Sequence, residues 1–242
     1  MIKLENVTFE HKGTKVFENF NAKFESNTIV TILGPSGVGK TTLIKLLSGL
    51  VLPSSGQIVV GNEIIKGPSN KRVVVFQEHL LFPWMSSKQN IEFVLKATKQ
   101  DLKLAQHYLN LVHLSEASDL YPHELSLGMK QRIGIARALA AQPEILLLDE
   151  PFASLDAITR DKLICEIVEV IKNLGITAFF VSHNIEEAVF LSDRIVLLNL
   201  NKSAFDFDLQ INFEKEKNIL DLKHQSDFIY IEKIIYEKLQ RN

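Results

Sequence analysis

Residues 34–42 read Gly34-Pro35-Ser36-Gly37-Val38-Gly39-Lys40-Thr41-Thr42. This run fits the pattern G-x-x-x-x-G-K-[ST], the P-loop, in which glycines let successive backbone N–H groups converge on phosphate oxygens. A short apolar run precedes it over 28–33, and leucines at helical spacing follow it over 43–50. Because both flanks fit, the alternative of a glycine-rich turn before an ordinary helix is disfavoured. The sequence predicts that the chain binds a nucleoside triphosphate at this helix N-terminus.

Two side chains of the loop carry specific predictions. Lys40 is placed to bridge the β- and γ-phosphates of the nucleotide, and the Thr41 hydroxyl is placed to ligate Mg²⁺. We expect the rest of residues 34–42 to contribute backbone N–H groups to the phosphate site.

Composition narrows the class of protein. The 242 residues suffice for one domain with a subdomain and a tail, and 27 basic against 29 acidic residues give a net charge of −2. Nucleic acid is therefore not an expected partner. The single cysteine, Cys165, lies in an apolar helical pattern and is predicted to fill the core rather than to act as a nucleophile. A chain that has no disulfide framework suits a reducing compartment.

The termini and the hydropathy pattern show no targeting or spanning segment. The N-terminus has no long apolar run of the signal-peptide type, and no stretch approaches the roughly 20 apolar residues of a membrane span. We expect a soluble, cytoplasmic protein that meets a membrane only through a partner.

The order of predicted elements is that of an α/β protein. Strands over 2–9 and 16–24 are joined by a tight turn and precede the P-loop. A helix over 157–173 ends at Gly175 as its C′ glycine. Short apolar strands alternate with such helices, which implies a mainly parallel sheet covered by helices. These further strands are predicted over 71–76, 145–148, 176–181 and 194–198.

Three regions complete the predicted organisation. A helical subdomain over about 78–142 is inserted between two strands of one sheet. A half-buried strand is predicted over 205–213, and an amphipathic helix over 227–239. We predict a nucleotide-binding domain over 1–212 and a C-terminal tail over 213–242.

Polar side chains follow several of the predicted strands, at the edge of the sheet where ligands bind in this architecture. Asp149 is predicted to hold Mg²⁺, and Glu150 to activate the attacking water, with their strand beside the P-loop. Gln77 and His183 are neutral hydrogen-bonding groups suited to sensing a γ-phosphate. Taken alone, Asp149-Glu150 could be a solvated turn and His183 a cap or a core histidine.

A second anion site is predicted at residues 125–132, which read Leu125-Ser126-Leu127-Gly128-Met129-Lys130-Gln131-Arg132. Ser126 fits as the N-cap of the apolar helix that follows, and a helix N-terminus attracts anions. A single triphosphate is not expected to contact both this site and the P-loop of the same chain.

These motifs together resemble the nucleotide-binding subunit of an ATP-binding cassette (ABC) transporter. The whole set of that family appears in order over about residues 2–200. The positions that match are the P-loop, Gln77 of the Q-loop, Ser126 of the signature, Asp149-Glu150 of Walker B, Ser154-Leu155-Asp156 of the D-loop and the switch residue His183. The resemblance implies a P-loop NTPase fold with a mainly parallel sheet, antiparallel N-terminal strands and an inserted helical subdomain.

The resemblance also implies an ATP-hydrolysing subunit that works as a head-to-tail pair, as a homodimer or with a related subunit. ATP then lies between the P-loop of one subunit and Ser126 and Gly128 of the other, and Asp156 joins the nucleotide-binding set. We group Lys40, Gln77, Glu150 and His183 as catalytic, and Thr41, Gln77 and Asp149 as the Mg²⁺ ligands. The position that carries a stacking aromatic in the family falls on His11, which could otherwise be a solvated turn histidine.

Two stretches point to one group of importers. Residues 75–84 and 155–160 are similar to those of the nitrate, sulfonate and taurine importers, and the related pyrimidine-precursor importers share them. The resemblance thus implies uptake of a small anionic solute through an integral-membrane permease, with a solute-binding protein upstream. The chain would lie on the inner face of the cell membrane, and the helical insert would contact the permease. Trp84 either belongs to that contact or packs within the insert.

Two other functions fit the same motifs. One is a soluble ABC ATPase in an assembly complex without transport, which the similarity over 75–84 disfavours. The other is a nucleotide-binding regulator that does not turn over, which Glu150 disfavours. Leu127 departs from the family pattern, which has glycine there, and we expect its side chain to point away from the nucleotide.

Overall fold

The structure is a computed structural model that describes residues 1–77, 81–153, 155–198, 202–212 and 222–240. Its strands are β1 (Ile2–His11), β2 (Thr14–Phe24), β3 (Ile29–Leu33), β4 (Ser55–Val60), β5 (Glu63–Ile64), β6 (Arg72–Val75), β7 (Ile145–Asp149), β8 (Thr177–Val181), β9 (Arg194–Leu197) and β10 (Phe207–Gln210). Its helices are α1 (Lys40–Ser48), α2 (Ser87–Ala97), α3 (Leu104–Leu111), α4 (Leu127–Ala140), α5 (Ala157–Asn173), α6 (Ile185–Leu191) and α7 (Ser226–Gln240).

The main sheet is six-stranded, in the order β10-β9-β3-β8-β7-β6. Its strands pair in parallel except β10, which pairs antiparallel with β9 at one edge. Every residue of β3, β7 and β8 is buried, because helices or a second sheet cover both faces. The predicted mainly parallel sheet is confirmed, and its five parallel strands direct their C-terminal ends to one edge.

The second sheet is antiparallel and has the order β2-β1-β4-β5. The predicted N-terminal strand pair is confirmed, with β1 and β2 each longer than expected and turning at Lys12 and Gly13. Both turn residues have positive φ, which is the backbone form of a tight hairpin. The two-residue strand β5 was not predicted, since so short a segment carries no periodicity.

Two apolar cores lie on opposite faces of the main sheet, because successive strand side chains point to opposite sides. Val30 and Ile32 of β3 join α1 and the antiparallel sheet in one core. Ile29 and Leu33 join the core formed by α4, α5 and α6 on the other face. The P-loop thus emerges between two packed layers, which hold it in place.

The helical insert lies between β6 and β7 in the chain and comprises α2, α3 and α4. Helix α2 begins at a capping box in which the Ser86 hydroxyl accepts from Gln89 N and Gln89 Oε1 accepts from Ser86 N. Positions 78–80, where the predicted insert starts, lie outside the described residues. The predicted helical insert is confirmed from residue 81 onward.

The C-terminal region packs onto the same core as the sheet. Helix α7 buries Phe228 and Ile235 in that core, and Leu222 joins them. The alternation predicted over 205–213 forms only the short strand β10, and Phe213 lies outside the described residues. A boundary between a domain over 1–212 and a tail over 213–242 stays a prediction.

Candidate nucleotide-binding site

The backbone of the P-loop is closely packed at its two ends. Gly34 follows β3 with φ 148°, and a Cβ there would lie 2.1 Å from the Leu198 carbonyl oxygen. Gly39 caps α1 with φ 113°, and its Cβ would lie 2.8 Å from Val16 Cγ1. A side chain at Gly34 would force the loop away from the end of β9, and one at Gly39 would force it away from β2, so both glycines are required by the fold of the loop.

The Lys40 ammonium is held at the loop by two neutral acceptors. Its Nζ donates to the carbonyl oxygens of Gly34 (2.7 Å) and Pro35 (2.8 Å). Burial lowers the pKa of Lys40, and the nearby carboxylates of Glu150 and Asp149 partly offset that shift. An ammonium has three donors, so one remains for a further acceptor such as a phosphate oxygen.

Thr41 and Asp149 form the oxygen pair predicted for Mg²⁺. The Thr41 hydroxyl donates to Asp149 Oδ2 at 2.8 Å. Burial raises the pKa of Asp149, while the bond from Thr41 lowers it, so the carboxylate sits in a site that a cation would stabilise. Mg²⁺ binds through one or two carboxylates and substrate phosphates, and the pair fits that chemistry. Within the described part of the chain, no group of three or more His, Cys, Asp or Glu side chains could hold a metal.

The strand that ends at Asp149 is not a direct neighbour of the P-loop strand. β8 lies between β7 and β3 in the sheet. The end of β7 nevertheless reaches the loop, because the Thr41 side chain at the start of α1 crosses to Asp149. The predicted contact is thus made by the helix that follows the loop rather than by strand pairing.

Glu150 and His183 meet beside the P-loop. His183 Nδ1 lies 3.5 Å from Glu150 Oε2. Glu150 has φ 49°, a left-handed backbone that residues other than glycine seldom adopt, and its N–H donates to Val181 O at 3.1 Å. Such a conformation persists where the surroundings impose it, and it turns the Glu150 side chain from the strand toward the loop. Two residues predicted at separate strand ends are therefore in contact.

A cavity of about 340 Å³ opens at the P-loop. Glu150 lines one side of it and His11 another, so the position predicted for the adenine contact faces the same cavity as the phosphate loop. The lining residues are His11, Val16, Ser36, Gly37, Gly39, Lys40, Thr41, Thr42, Glu150 and Val181. The other predicted loop residues lie behind this surface: Gly34 and Pro35 bind Lys40 through their carbonyls, and Val38 packs against the core.

The match to a family of known proteins follows this geometry. The family model described as "ABC transporter" matches residues 17–153, more than half of the chain. The chain belongs to the ABC transporter family. The chain is thus an ABC ATPase, and Lys40, Thr41 and Glu150 line its P-loop cavity.

Named relatives and a solved structure refine the match. The nitrate import ATP-binding protein NrtD of Synechocystis is 40% identical over 214 residues, which cover 86% of this chain and 80% of that protein. The taurine import ATP-binding protein TauB of Escherichia coli O157:H7 is 39% identical over 219 residues, 89% of this chain and 86% of that protein. A dimeric ATP-binding cassette in a post-hydrolysis state with ADP and Pi has a TM-score of 0.78 and 27% identity, covering 88% of this chain and 100% of that one.

Gln77 of this ABC ATPase lies apart from the P-loop. It follows β6, the edge strand, and is exposed. Three strand steps separate β6 from β3, roughly 14 Å at ordinary strand spacing. Gln77 does not line the P-loop cavity, and its assignment to the Mg²⁺ site and to catalysis stays a prediction.

The signature and D-loop residues form a separate surface. The Ser126 hydroxyl accepts from Met129 N at 3.3 Å, so the predicted N-cap of α4 is present, and its side chain is exposed. A Cβ on Gly128 would lie 2.6 Å from Leu155 Cδ2, so the signature packs against the D-loop of its own chain. Ser154 lies outside the described residues. Ser126 and Gly128 do not line the P-loop cavity of this chain.

Asp156 is engaged in its own helix. Its carboxylate accepts from Thr159 N at 3.0 Å and caps α5, and the bond from the Thr159 backbone lowers the pKa of Asp156. The side chain is exposed and outside the P-loop cavity. A nucleotide contact from Asp156 stays a prediction.

Two residues near His183 were not predicted. Glu187 on α6 is buried and lies 3.5 Å from Arg160 Nε on α5, behind the His183 turn. The signal that could have identified Glu187 was a carboxylate directly before the apolar run Ala188-Val189-Phe190-Leu191.

Trp84 lies on the surface of the helical insert. Its side chain is 69% exposed, and its closest aromatic contact is Phe82, with ring centroids 5.6 Å apart. The alternative in which Trp84 packs within the insert is wrong.

Cys165 is half-buried on α5 against the core, as predicted for a packing residue. Among the residues described, none of the helices is both long and apolar enough to cross a bilayer.

Proposed function

We propose that this ABC ATPase powers uptake of a small anionic solute through a separate integral-membrane permease. The observation that carries the proposal is the identity of 39–40% to nitrate and taurine import ATP-binding proteins over more than four fifths of the chain. Nitrate and the sulfonate of taurine are both oxyanions, so the solute class is a small oxyanion. The chain would lie at the inner face of the membrane, with a solute-binding protein delivering to the permease.

The hydrolytic step follows from the P-loop geometry. Lys40 has one free donor for the triphosphate, and the loop N–H groups hold the remaining phosphate oxygens. Thr41 and Asp149 would hold Mg²⁺, which supplies charge neutralisation on the phosphates when bound. Glu150 takes the proton of the attacking water, and His183, 3.5 Å away, hydrogen-bonds the γ-phosphate and fixes the carboxylate. His11 stacks on the base.

The complete site needs a second subunit. Ser126 and Gly128 lie outside the P-loop cavity of their own chain, on an exposed helix start that attracts anions. The related cassette is a dimer. A head-to-tail pair would bring Ser126 and Gly128 of one subunit to the γ-phosphate held by the other. Gln77 and Asp156 would join the site on closure of that pair.

An aromatic surface on the helical insert supports docking to the permease. The Phe82 ring meets Phe93 edge-on with ring centroids 4.8 Å apart and packs at a tilt against Trp84, and Arg137 lies 5.4 Å over the Phe82 ring. Trp84 and Phe93 are both largely exposed. Exposed aromatics that cluster beside a cation are typical of protein interfaces.

The proposal is tested by capture and uptake. The tagged full-length chain is purified from detergent-solubilised membranes of its own cells, and the captured complex is placed in proteoliposomes with ATP inside. We expect an integral-membrane protein to copurify and ATP-dependent uptake of nitrate or taurine. Trp84→Ala should weaken capture about 10-fold or more, as for an interface anchor. Tyr230→Ala, equally exposed on α7, is the matched control and should leave capture unchanged.

Two results would contradict the proposal. Active ATPase that captures only soluble proteins would favour the assembly-complex function. ATP-dependent movement of solute out of the cytoplasmic side would make the chain part of an exporter.

A further inference from the structure

The turn that carries His183 is tied to a buried carboxylate. Ser182 Oγ donates to Glu187 Oε2 at 2.8 Å, and Asn184 N donates to Ser182 Oγ at 3.0 Å. Glu187 N in turn donates to Asn184 Oδ1 at 3.1 Å. Both chain neighbours of His183 are therefore bonded to Glu187 directly or through Ser182. The side chain of His183 itself is 67% exposed, and its Nδ1 lies 3.5 Å from Glu150 Oε2.

Glu187 faces a cation from another helix. Arg160 Nε lies 3.5 Å from Glu187 Oε1, and both side chains are mostly buried. Burial raises the pKa of Glu187, while the bond from Ser182 and the charge of Arg160 act against that shift. Arg160 lies in the first turn of α5, four residues after the Asp156 cap, so it connects the D-loop helix to the His183 turn.

A small cavity of about 60 Å³ separates the two pairs of charged residues. Its lining includes Glu150 and His183 on one side and Arg160 and Glu187 on the other. Movement of Glu187, or of Arg160 that faces it, would therefore displace the turn of His183, because Ser182 on that turn is bonded to Glu187. The Arg160–Glu187 pair forms the fixed wall behind the Glu150–His183 contact.

Stability alone does not account for this pair. The N-cap of α6 is already supplied by the Asn184 side chain. A buried ion pair contributes little net stability, because desolvation offsets the attraction. Other charges lie nearby: Lys223 binds Glu186 at 2.7 Å, and the mostly buried Asp161 lies 3.6 Å from Arg160 Nε and 3.9 Å from Lys223.

We propose that Glu187 and Arg160 are positioning residues that hold His183 against Glu150 for ATP hydrolysis. The inference rests on the roles of Glu150 and His183 given under the proposed function. It predicts that the pair acts through His183 and not through nucleotide binding, since neither residue lines the P-loop cavity.

The test is phosphate release by the full-length chain with Mg-ATP. Glu187→Gln keeps an oxygen for Ser182 but removes the charge that faces Arg160. We expect kcat to fall about 10- to 100-fold, as for a misplaced catalytic group, while the KM for ATP changes by less than about twofold. In a His183→Ala background, Glu187→Gln should cause no further fall. Glu186→Gln, one residue earlier and bound to Lys223, is the control and should keep its kcat within about twofold.

A second variant tests the proposal if the first one does not fold. If Glu187→Gln does not melt cooperatively, Arg160→Gln takes its place, with Arg160→Lys as the conservative variant that should restore most of kcat. Unchanged kcat in Glu187→Gln would overturn the proposal. So would an equal fall with and without His183, since that would place Glu187 in a general structural role. Phosphate release is measured without permease, so a failure of solute uptake would leave this result unaffected.

Discussion

The Thr41 hydroxyl donates a 2.8 Å hydrogen bond to Asp149 Oδ2 across 108 residues of chain. It joins the first turn of α1 to the end of β7 past the intervening strand β8. The bond stabilises a buried carboxylate whose pKa burial has raised. The ionised Asp149 carboxylate therefore lowers the free energy of unfolding, although the predicted Mg²⁺ site requires it. A stability measurement can separate these two effects.

We predict that Asp149→Asn raises stability while it impairs Mg²⁺-dependent hydrolysis. The pKa of Asp149 is higher in the folded chain than its ordinary 3.8, so the ionised form is penalised by folding. That penalty is absent below the ordinary value, develops as pH rises through the folded-state value, and is complete above it. Asparagine keeps an acceptor for Thr41 without the charge. Because Lys40 and Thr41 already offset part of the cost, a gain of about 2–4 °C in Tm is expected at pH 7.

Thermal melting without nucleotide or metal at pH 7 and at the lowest pH where both proteins fold checks this. The gain in Tm should shrink at low pH, where aspartic acid and asparagine are nearly equivalent. A lower Tm for Asp149→Asn at pH 7 would show that the carboxylate stabilises the fold.

His11 is predicted to stack on the adenine ring. It faces the P-loop cavity from the end of β1. A base–aromatic stack is worth roughly 1–3 kcal/mol, and a small imidazole belongs at the low end, so His11→Ala should weaken ATP binding about fivefold. His11→Tyr should strengthen binding, and wild-type discrimination between ATP and GTP should be weak. Equilibrium titration with a fluorescent ATP analogue measures this, with His123→Ala on the helical insert as control; equal affinity in all variants would contradict the stack.

Ser126 and Leu127 are predicted to differ in their tolerance of substitution. Leu127 is 58% exposed at the first residue of α4, whereas Ser126 caps that helix. Leu127→Gly should leave the ATPase rate within about threefold, and Ser126→Arg should abolish it because a long side chain would occupy the partner's phosphate site. Phosphate release at several protein concentrations is the measurement. A rise of orders of magnitude in Leu127→Gly would mean that the native signature is degenerate.

Sequence patterns predicted the bounds of an element where nearby residues, such as helix caps and glycines, determine them. Helix α5 has the predicted bounds because Asp156 caps it and Gly175 ends it with φ 63°. The P-loop was predictable because Gly34 and Gly39 meet neighbours at distances that exclude a Cβ. The strand order was not, since periodicity does not record which strands pair. For that reason the place of β8 between β3 and β7 was missed.

The site was predictable in its residues but not in its contacts. Glu150 and His183 are far apart in sequence, and the left-handed backbone of Glu150 that lets them meet has no sequence signature. Glu187 and Arg160 lie on helices whose apolar faces dominated the pattern, so their pairing across α5 and α6 could only come from the structure. Gln77 is the opposite case: the sequence predicts it for the site, but it follows the edge strand β6, away from the P-loop.

Glu150 is the residue on which the account of hydrolysis depends. A positioned general base contributes about 10²–10⁴ in rate, and Glu150→Gln keeps the size of the side chain while removing the proton acceptor. It also removes a negative charge beside the triphosphate, so ATP binding should persist or tighten. Asp149→Asn is the comparison, because it should impair Mg²⁺-dependent steps as well.

The most direct measurement is phosphate release together with size-exclusion chromatography in Mg-ATP, for wild type and Glu150→Gln. We predict that hydrolysis falls by about 10²–10⁴ and that Glu150→Gln elutes as an ATP-bound dimer under conditions where the wild type does not accumulate one. A Glu150→Gln chain that hydrolyses ATP at the wild-type rate would contradict the account and assign the base to another residue.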